Sequence, residues 1–491
     1  MHENFGVRKL FDVQLALGAV PIEQVEIPTK TRDELPPILA ALQWVFITPE
    51  VNSEVFAVLE SIQPAGTKST GRPGMDLWQI LVLGVVRLSL DCNYDRLHYI
   101  SNYDSLVRQL LGQPAFDMTL EFSLTSLKEN LPLLTEERLA QINAIIARHG
   151  RQTLQKKNEE AHQIKVDSYV LETNVHFPTD LNLAWDAARK IIDLTSRLAA
   201  DLGLPGWRKK AHWKTSIKTP MRNCSRASKS GGANKQERII EAATAYLAKL
   251  YQLEEKFCAT LQEFKKHPLS LLQLCEIEAI ENWQDLLIKH IFLISDRLLE
   301  GRKIPAGEKL YSLFEQHTEW VTKGKSRPNV ELGRRLLIAT DQYHLIHDYK
   351  VMTGGDECAE VIPLTDRLLN TLPAGGLQSI SFDRGFSSIE NRELLELEIP
   401  TVIMPKKGKL SQADRERQRR KKWRKLANAH SAVESNINAL EHHGLNRCPD
   451  KSEQGYKRYV GLGVLSYNLH RIGVHLQEKE RAQQRIRSRA A

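Results

Sequence analysis

No CxxC pair occurs in the sequence. Its six cysteines, Cys92, Cys224, Cys258, Cys275, Cys358 and Cys448, are scattered. That spacing argues against a structural zinc and against a disulfide framework, and it fits a reducing compartment. Long apolar runs are also missing. The most apolar stretch, LWQILVLGVVRLSL (Leu77 to Leu90), is too short to span a bilayer and carries Gln79 and Arg87, so it reads as a buried helix. The opening MHENFGVRKLF has no apolar core of the signal-peptide kind. These absences point to a cytoplasmic protein with no membrane partner.

What is present is ordinary in amount and unusual in placement. Hydrophobic residues make up 42% and charged residues 26% of 491 positions, as in a globular chain of about two to four domains. The net charge is +8, yet Pro405 to Lys425 (PKKGKLSQADRERQRRKKWRK) alone holds eleven Lys/Arg against two acids, so the remaining residues are close to neutral. A second basic stretch, Trp207 to Lys229, has eight Lys/Arg and no acid, with Trp207 and Trp213 interleaved. Two concentrated basic patches in an otherwise neutral chain suggest a polyanion partner such as nucleic acid. Within the second patch Arg208, Lys209, Lys210 and Lys214 are the candidate DNA contacts; a solvated face is the plain alternative.

Along the chain, residues 1–35 look irregular. Residues 36–150 repeat apolar positions at three and four, as an all-helical N-terminal domain for DNA binding or dimerisation would. The period then changes. Ile164 to Pro178 (IKVDSYVLETNVHFP) alternates and predicts two short strands or a hairpin. Residues 187–305 read as a large helical insertion, in which Lys235 to Phe264 has a stripe long enough for a coiled-coil-like arm. Strands are expected in TEWVTKGK, VELGRRLLIATD, LIHDYKVM, LQSISFD and IPTVIMP, then one long helix from about Leu410 to Leu445. The fold class is therefore α/β, a mixed sheet with flanking helices split between 160–186 and 306–475, with a basic tail at 476–491.

Three acids stand out. Asp167 lies mid-strand between apolar neighbours, Asp383 ends LQSISFD, and Glu434 sits in the last long helix. A lone carboxylate in a buried strand is costly unless paired or metal-bound. Gathered together, three would hold divalent ions through oxygen while leaving room for phosphate and water. Each has a plain alternative: a hairpin acid for Asp167, a helix cap for Asp383, a surface residue for Glu434. Rival acids are Asp341 and Asp348, which flank a strand pair, Asp356, and Glu441, two turns beyond Glu434.

The stretches VDSYVLETNVHFPTDLNLAWDAAR, LFEQHTEWVTKGK, SFDRGFSSIENRELL, VIMPKKGKLS, HSAVESNINALEHHGLNR and YVGLGVLSYNLHRIG, preceded by GRPGMDLWQILVLGVVRLSL, together resemble a bacterial insertion-sequence transposase of the DDE type. The similarity runs over most of 36–475. It implies an RNase-H-like catalytic domain with Asp167, Asp383 and Glu434 as catalytic and metal-binding acids, and Mg2+ or Mn2+, as two ions, for cofactor. It implies that the protein binds transposon-end inverted repeats, cleaves the ends, and joins 3′-hydroxyls to target DNA as a homodimer near the bacterial nucleoid. Lys323, Lys325, Lys406, Lys407 and Lys409 would grip DNA phosphates, His430 would touch the scissile phosphate, and Asn438 would orient Glu434. The separation of 216 positions from Asp167 to Asp383, against 51 from Asp383 to Glu434, places the insertion between the first two acids. A nuclease of the same fold without strand transfer, or a non-catalytic DNA-binding protein, would share many of these features.

Overall fold

The computed structural model describes residues 18–62, 75–116, 121–156, 161–322 and 329–490. The chain divides into two compact units, Met1–Asn174 with Val321–Ala491, and Val175–Trp320. The helices expected at 36–150 therefore share a unit with the sheet, and the second unit extends beyond the 187–305 expected for the insertion. Among the described residues, no helix is long and apolar enough to cross a membrane.

The first unit is built on a mixed seven-stranded sheet. Its strands are β1 (His162–Thr173), β2 (Glu319–Thr322), β3 (Val330–Thr340), β4 (Ile346–Val351), β5 (Leu377–Phe382), β6 (Val402–Ile403) and β7 (Arg447–Cys448). The order is β2-β3-β1-β5-β6, with β4 beside β3 and β7 beside β1. β1 pairs antiparallel with β3 from Lys165↔Thr340 to Glu172↔Gly333, and parallel with β5 up to Val166↔Phe382.

β1 is one continuous strand of 12 residues, where the sequence suggested two strands or a hairpin. No Gly, Pro or Asn interrupts it before Asn174, and pairing on both of its edges keeps the Asp167-Ser168 step extended. Its alternation serves two covered faces. Ile164 and Val166 pack with Leu337, Ala339, Ile380 and Phe382 in one core, while Tyr169 and Leu171 join Leu336 and Ile338 in another.

That second core is shared with the N-terminal helices, among them Leu35–Ile47, Leu77–Ser89 and Glu136–Leu154, and with the helix Glu453–Ala490. Leu77–Ser89 opens on a capping box between Asp76 and Gln79. Its one charge, Arg87, is 3% exposed and paired with Asp450 at 3.0 Å, which resolves the cation in an otherwise apolar helix. The helix Glu453–Ala490 bolts these parts together. Its Tyr456 hydroxyl donates to the Leu171 carbonyl of β1 at 2.6 Å, and Asn468 exchanges hydrogen bonds with the Ile346 backbone of β4.

The long helix expected over 410–445 is broken into Gln412–Arg419, Lys421–His430 and Ala432–Leu440, followed by a wide turn over Glu441–Leu445. Periodicity does not register such breaks, because extended residues such as Arg420 leave the apolar spacing nearly intact.

The second unit is helical. Asp180–Asp201, Lys210–Lys229, Lys235–Phe264 and Leu271–Leu298 enclose a core that includes Ala187, Ile191, Tyr246, Leu250, Phe257, Ile280 and Ile291. Lys235–Phe264 is packed into this bundle, so it is not a free arm.

Gly473 marks the closest approach between helices. A Cβ there would lie 1.8 Å from the Pro37 carbonyl oxygen, a backbone atom that cannot rotate away. Gly473→Ala is expected to destabilise the first unit by at least about 2 kcal/mol through overpacking, read as a lower urea midpoint.

Candidate functional site

The register of β1 against β5 sets the site. The last parallel pair is Val166↔Phe382, so the next residues, Asp167 and Asp383, stand side by side at neighbouring strand positions, about 4.8 Å apart in backbone spacing. Asp167 is partly buried and Asp383 exposed. Asp383 does not cap the helix that follows. Its side chain makes no cap hydrogen bond, and Ile389–Glu398 is capped by Ser388, whose hydroxyl accepts from the Asn391 amide at 3.3 Å.

Glu434 lies in the first turn of Ala432–Leu440. This helix is fastened by Asn436, which donates to the Thr340 hydroxyl at the end of β3 (3.1 Å) and accepts from the Tyr467 hydroxyl (3.2 Å). Its Oδ1 also meets His344 Nδ1 at 2.7 Å. Glu434, Ile437 and Glu441 follow one another at helical spacing on the side facing the aspartates. With Asp167, Ser168, Asp383, Glu172 and Glu331 they line a cavity of about 920 Å³. Both rivals for the third acid, Glu434 and Glu441, therefore border the cavity, and the charge of Glu434 adds to the upward push on Asp167. Asn438 is exposed and outside the lining.

Burial pushes the Asp167 carboxyl up to about 7, reinforced by the charges of Asp383, Glu357 and Glu434 and opposed by a hydrogen bond from the Ser168 amide. The oxygens of Asp167, Asp383 and Glu434 are not all within 4.8 Å of one another. They border a shared space.

Glu357 is the residue that sequence reading missed. It lies between β4 and the helix Val361–Thr371, accepts a 2.6 Å hydrogen bond from the Ser168 hydroxyl, and pairs with Arg335 at 2.8 Å. It packs against Gly385, where a Cβ would meet its Oε2 at 2.1 Å. An acid in an aperiodic loop, GGDECAE, leaves no pattern to find. The other rivals have structural duties. Asp341 caps the β3–β4 turn through the Tyr343 and Leu345 amides, Asp348 pairs with Arg367, and Asp356 accepts from the Cys358 amide.

His430 ends the helix before Glu434's, across a break at Ser431, so the two do not share one continuous helix. Its Nδ1 meets the Ser381 hydroxyl at 3.0 Å, and its Nε2 is buried without a partner. Burial lowers its pKa, while Asp383 and Glu434 pull it upward.

A second cavity of about 580 Å³ also opens on Asp383 and is lined by Lys406, Lys407, Trp423 and His430. Lys406 pairs with Asp414 at 3.3 Å, and Lys407 donates to the Gly385 carbonyl at 2.9 Å. Lys409, Arg415, Arg419, Arg420, Lys421, Lys422, Arg424 and Lys425 are exposed. Lys323 and Lys325 lie outside the described residues.

In the second unit Arg208, Lys209 and Lys210 are exposed, and Lys214 pairs with Asp193 at 2.6 Å. The aromatic half of that patch is structural. Trp207 is 3% exposed, donates to the Thr260 hydroxyl, and lies beside Trp213 under the Lys256 ammonium. It offers no face for base stacking.

Compared with models of known protein families, with curated proteins and with solved structures, the chain finds no match.

The carboxyl of Asp167 favours its protonated form in the fold, so its stabilising contribution is present below about pH 4 and is lost as pH rises towards 7. In metal-free protein Asp167→Asn is therefore expected to stabilise at pH 8 by on the order of 2 kcal/mol, and to lose that advantage near pH 4, in paired melting curves. Glu357→Gln removes one of the charges acting on Asp167 and should move the crossover to lower pH.

Proposed function

We propose that this protein is a metal-dependent DNA transposase of the DDE type, and that its mixed sheet is an RNase-H-like catalytic fold. The reading is carried by one observation: acids far apart in sequence, at 167, 383 and 434, line a single open cavity at the end of two parallel strands.

The donor set suits hard cations. Asp167, Asp383 and Glu434 offer only carboxylate oxygen, and the Asp167 carboxyl, pushed up chiefly by burial and further by its acidic neighbours, gains from a cation that offsets both. Two Mg2+ or Mn2+ ions held there would supply an activated water and absorb charge on the leaving oxygen. The protein's own contribution is placement. β1 and β5 fix the two aspartates through backbone pairing, and Asn436 holds the Glu434 helix against β3. Glu357, anchored by Arg335 and Ser168, backs Asp167 from outside the triad. His430 lies near Asp383 and Glu434 and would meet a phosphate oxygen once its buried Nε2 turns into the cavity that its ring lines.

The exposed cations from Lys409 to Lys425 lie on the same stretch of chain as Lys406 and Lys407, which line the Asp383 cavity, and form the DNA track, contacting phosphates and so positioning DNA without reading its sequence. End recognition and synapsis require two copies, so assembly as a homodimer on DNA is part of the proposal. A nuclease would use the same acids and would stop at hydrolysis.

Incubation with the DNA termini that flank its coding sequence, with Mg2+ and with EDTA as control, tests the reading. Asp167→Asn, Asp383→Asn and Glu434→Gln are each expected to lower cleavage by on the order of 10²–10³-fold or more while duplex binding persists. Pre-cleaved ends bearing 3′-hydroxyls should be joined to a target plasmid; hydrolysis without joining would leave only the nuclease. Neutralising Arg419, Arg420, Lys421 and Lys422 should flatten the log affinity–log salt slope by about 0.9 for each DNA phosphate that these side chains neutralise.

A further inference from the structure

The sheet carries a second cluster of ligand-type side chains at its other end. His162 opens β1, Asp341 directly follows β3, and His347 is the second residue of β4. One donor atom from each lies within 4.8 Å of the others, and all three residues are buried. His162 pairs with Leu377 at the start of β5, whereas Asp167 and Asp383 lie beyond the far end of the same pairing.

Asp341 is held in a fixed pose. Its Oδ1 accepts the Tyr343 amide at 2.8 Å and the Leu345 amide at 3.0 Å. Its Oδ2 is left facing His347 Nε2 at 3.0 Å. Such outer hydrogen bonds are what orient metal-binding carboxylates. His162 adds an independent observation. It is 4% exposed, and its Nδ1 is buried with no hydrogen-bond partner. Its ring meets that of His347 edge-on, with centroids 5.3 Å apart. Both imidazoles line a cavity of about 460 Å³, bounded on its far side by the loop carrying Pro373, Gly375 and Gly376.

We propose that His162, Asp341 and His347 bind a divalent transition-metal ion of the zinc, cobalt or nickel class, with a remaining coordination position open to this cavity. Two imidazoles and one carboxylate form a borderline-soft set that prefers these ions to Mg2+. The site is therefore distinct in chemistry from the all-carboxylate cavity and does not depend on the proposed transposase activity. It contains no cysteine, which is why cysteine spacing does not reveal it. Two cations oppose it: Lys165, whose Nζ donates to the Asp341 backbone carbonyl at 3.1 Å, and Arg151, whose Nη1 lies 3.4 Å from Asp341 Oδ2. Arg151 also donates to the Ala161 carbonyl at 2.9 Å and to Gln342 Oε1 at 3.4 Å, so it keeps acceptors when a cation takes the carboxylate. Its charge weakens the site without closing it. A bound ion ties the first residue of β1 to the β3–β4 turn.

Titration of metal-free, full-length protein with Co2+ in the presence of excess Mg2+ tests this by visible absorption. One equivalent should produce ligand-field bands that Zn2+ abolishes, and Asp167→Asn should leave them unchanged. His162→Ala and His347→Ala should each weaken Co2+ at least about 100-fold, beyond the loss of an outer-shell partner, and Arg151→Gln should tighten it. His443 and His470, whose rings lie 5.1 Å apart, are the competing imidazole pair, and His470→Ala should have no effect. Absence of stoichiometric Co2+ binding, bands indifferent to both His162 and His347, or bands lost with His470→Ala would each overturn the assignment. Crystals of the wild-type chain soaked in zinc give an answer independent of whether any variant folds. An anomalous peak among the three side chains supports the site, and its absence refutes it.

Discussion

Crowding of negative charge at one end of the sheet's central strands is the constraint around which the first unit is organised. Asp167, Asp383, Glu434, Glu331, Glu441 and Glu172 all border one cavity, with Glu357 close behind. Left to themselves, carboxylates at this range repel one another. What holds them is backbone: Asp167 is pinned in the β1–β3 ladder, and Asp383 directly follows the last β1–β5 pair, so slipping β1 would turn its apolar set to the wrong face. Burial is the main reason the Asp167 pKa is raised, and the neighbouring carboxylates add to it.

The helix bearing Glu434 is held by a different device. Asn436, two positions away and so on the opposite side of the helix, reaches Thr340, His344 and Tyr467 together. A buried amide with donors and acceptors satisfied from three elements fixes rotation about the helix axis, which apolar packing alone does less sharply. The acid thereby faces the cavity although it is itself exposed. The surrounding basic surface has another character. Its side chains are mostly solvated and unpaired with acid, which suits them to a ligand that replaces water and counterions.

Much of this was legible beforehand, and the limits have physical causes. β3, β4 and β5 were expected as strands in VELGRRLLIATD, LIHDYKVM and LQSISFD, and Asp383 was visible at the end of the last. Asp167 was visible as a charge in an apolar strand. Hidden were features decided by tertiary context. Whether 162–173 turns back on itself depends on partners more than 150 residues away. The three-way break of 410–445 depends on local dihedral choices that periodicity does not encode. Trp207 looked like a stacking platform because a tryptophan among lysines has the same letters whether its ring faces DNA or a bundle core. Glu357 matters only because Gly385 lets it approach.

The pairing of Lys165 with Thr340 has a consequence for biogenesis. On the ribosome the central strand emerges 175 residues ahead of its antiparallel partner, a wait of roughly 10–35 s at ordinary translation speeds. Through that interval β1, apolar on both faces, has two bare edges in the nascent polypeptide, while the contiguous helical bundle that follows it can close on its own core. The bundle's residues are thus all synthesised before β1 meets either long-range partner, so the chain can complete the bundle before the sheet.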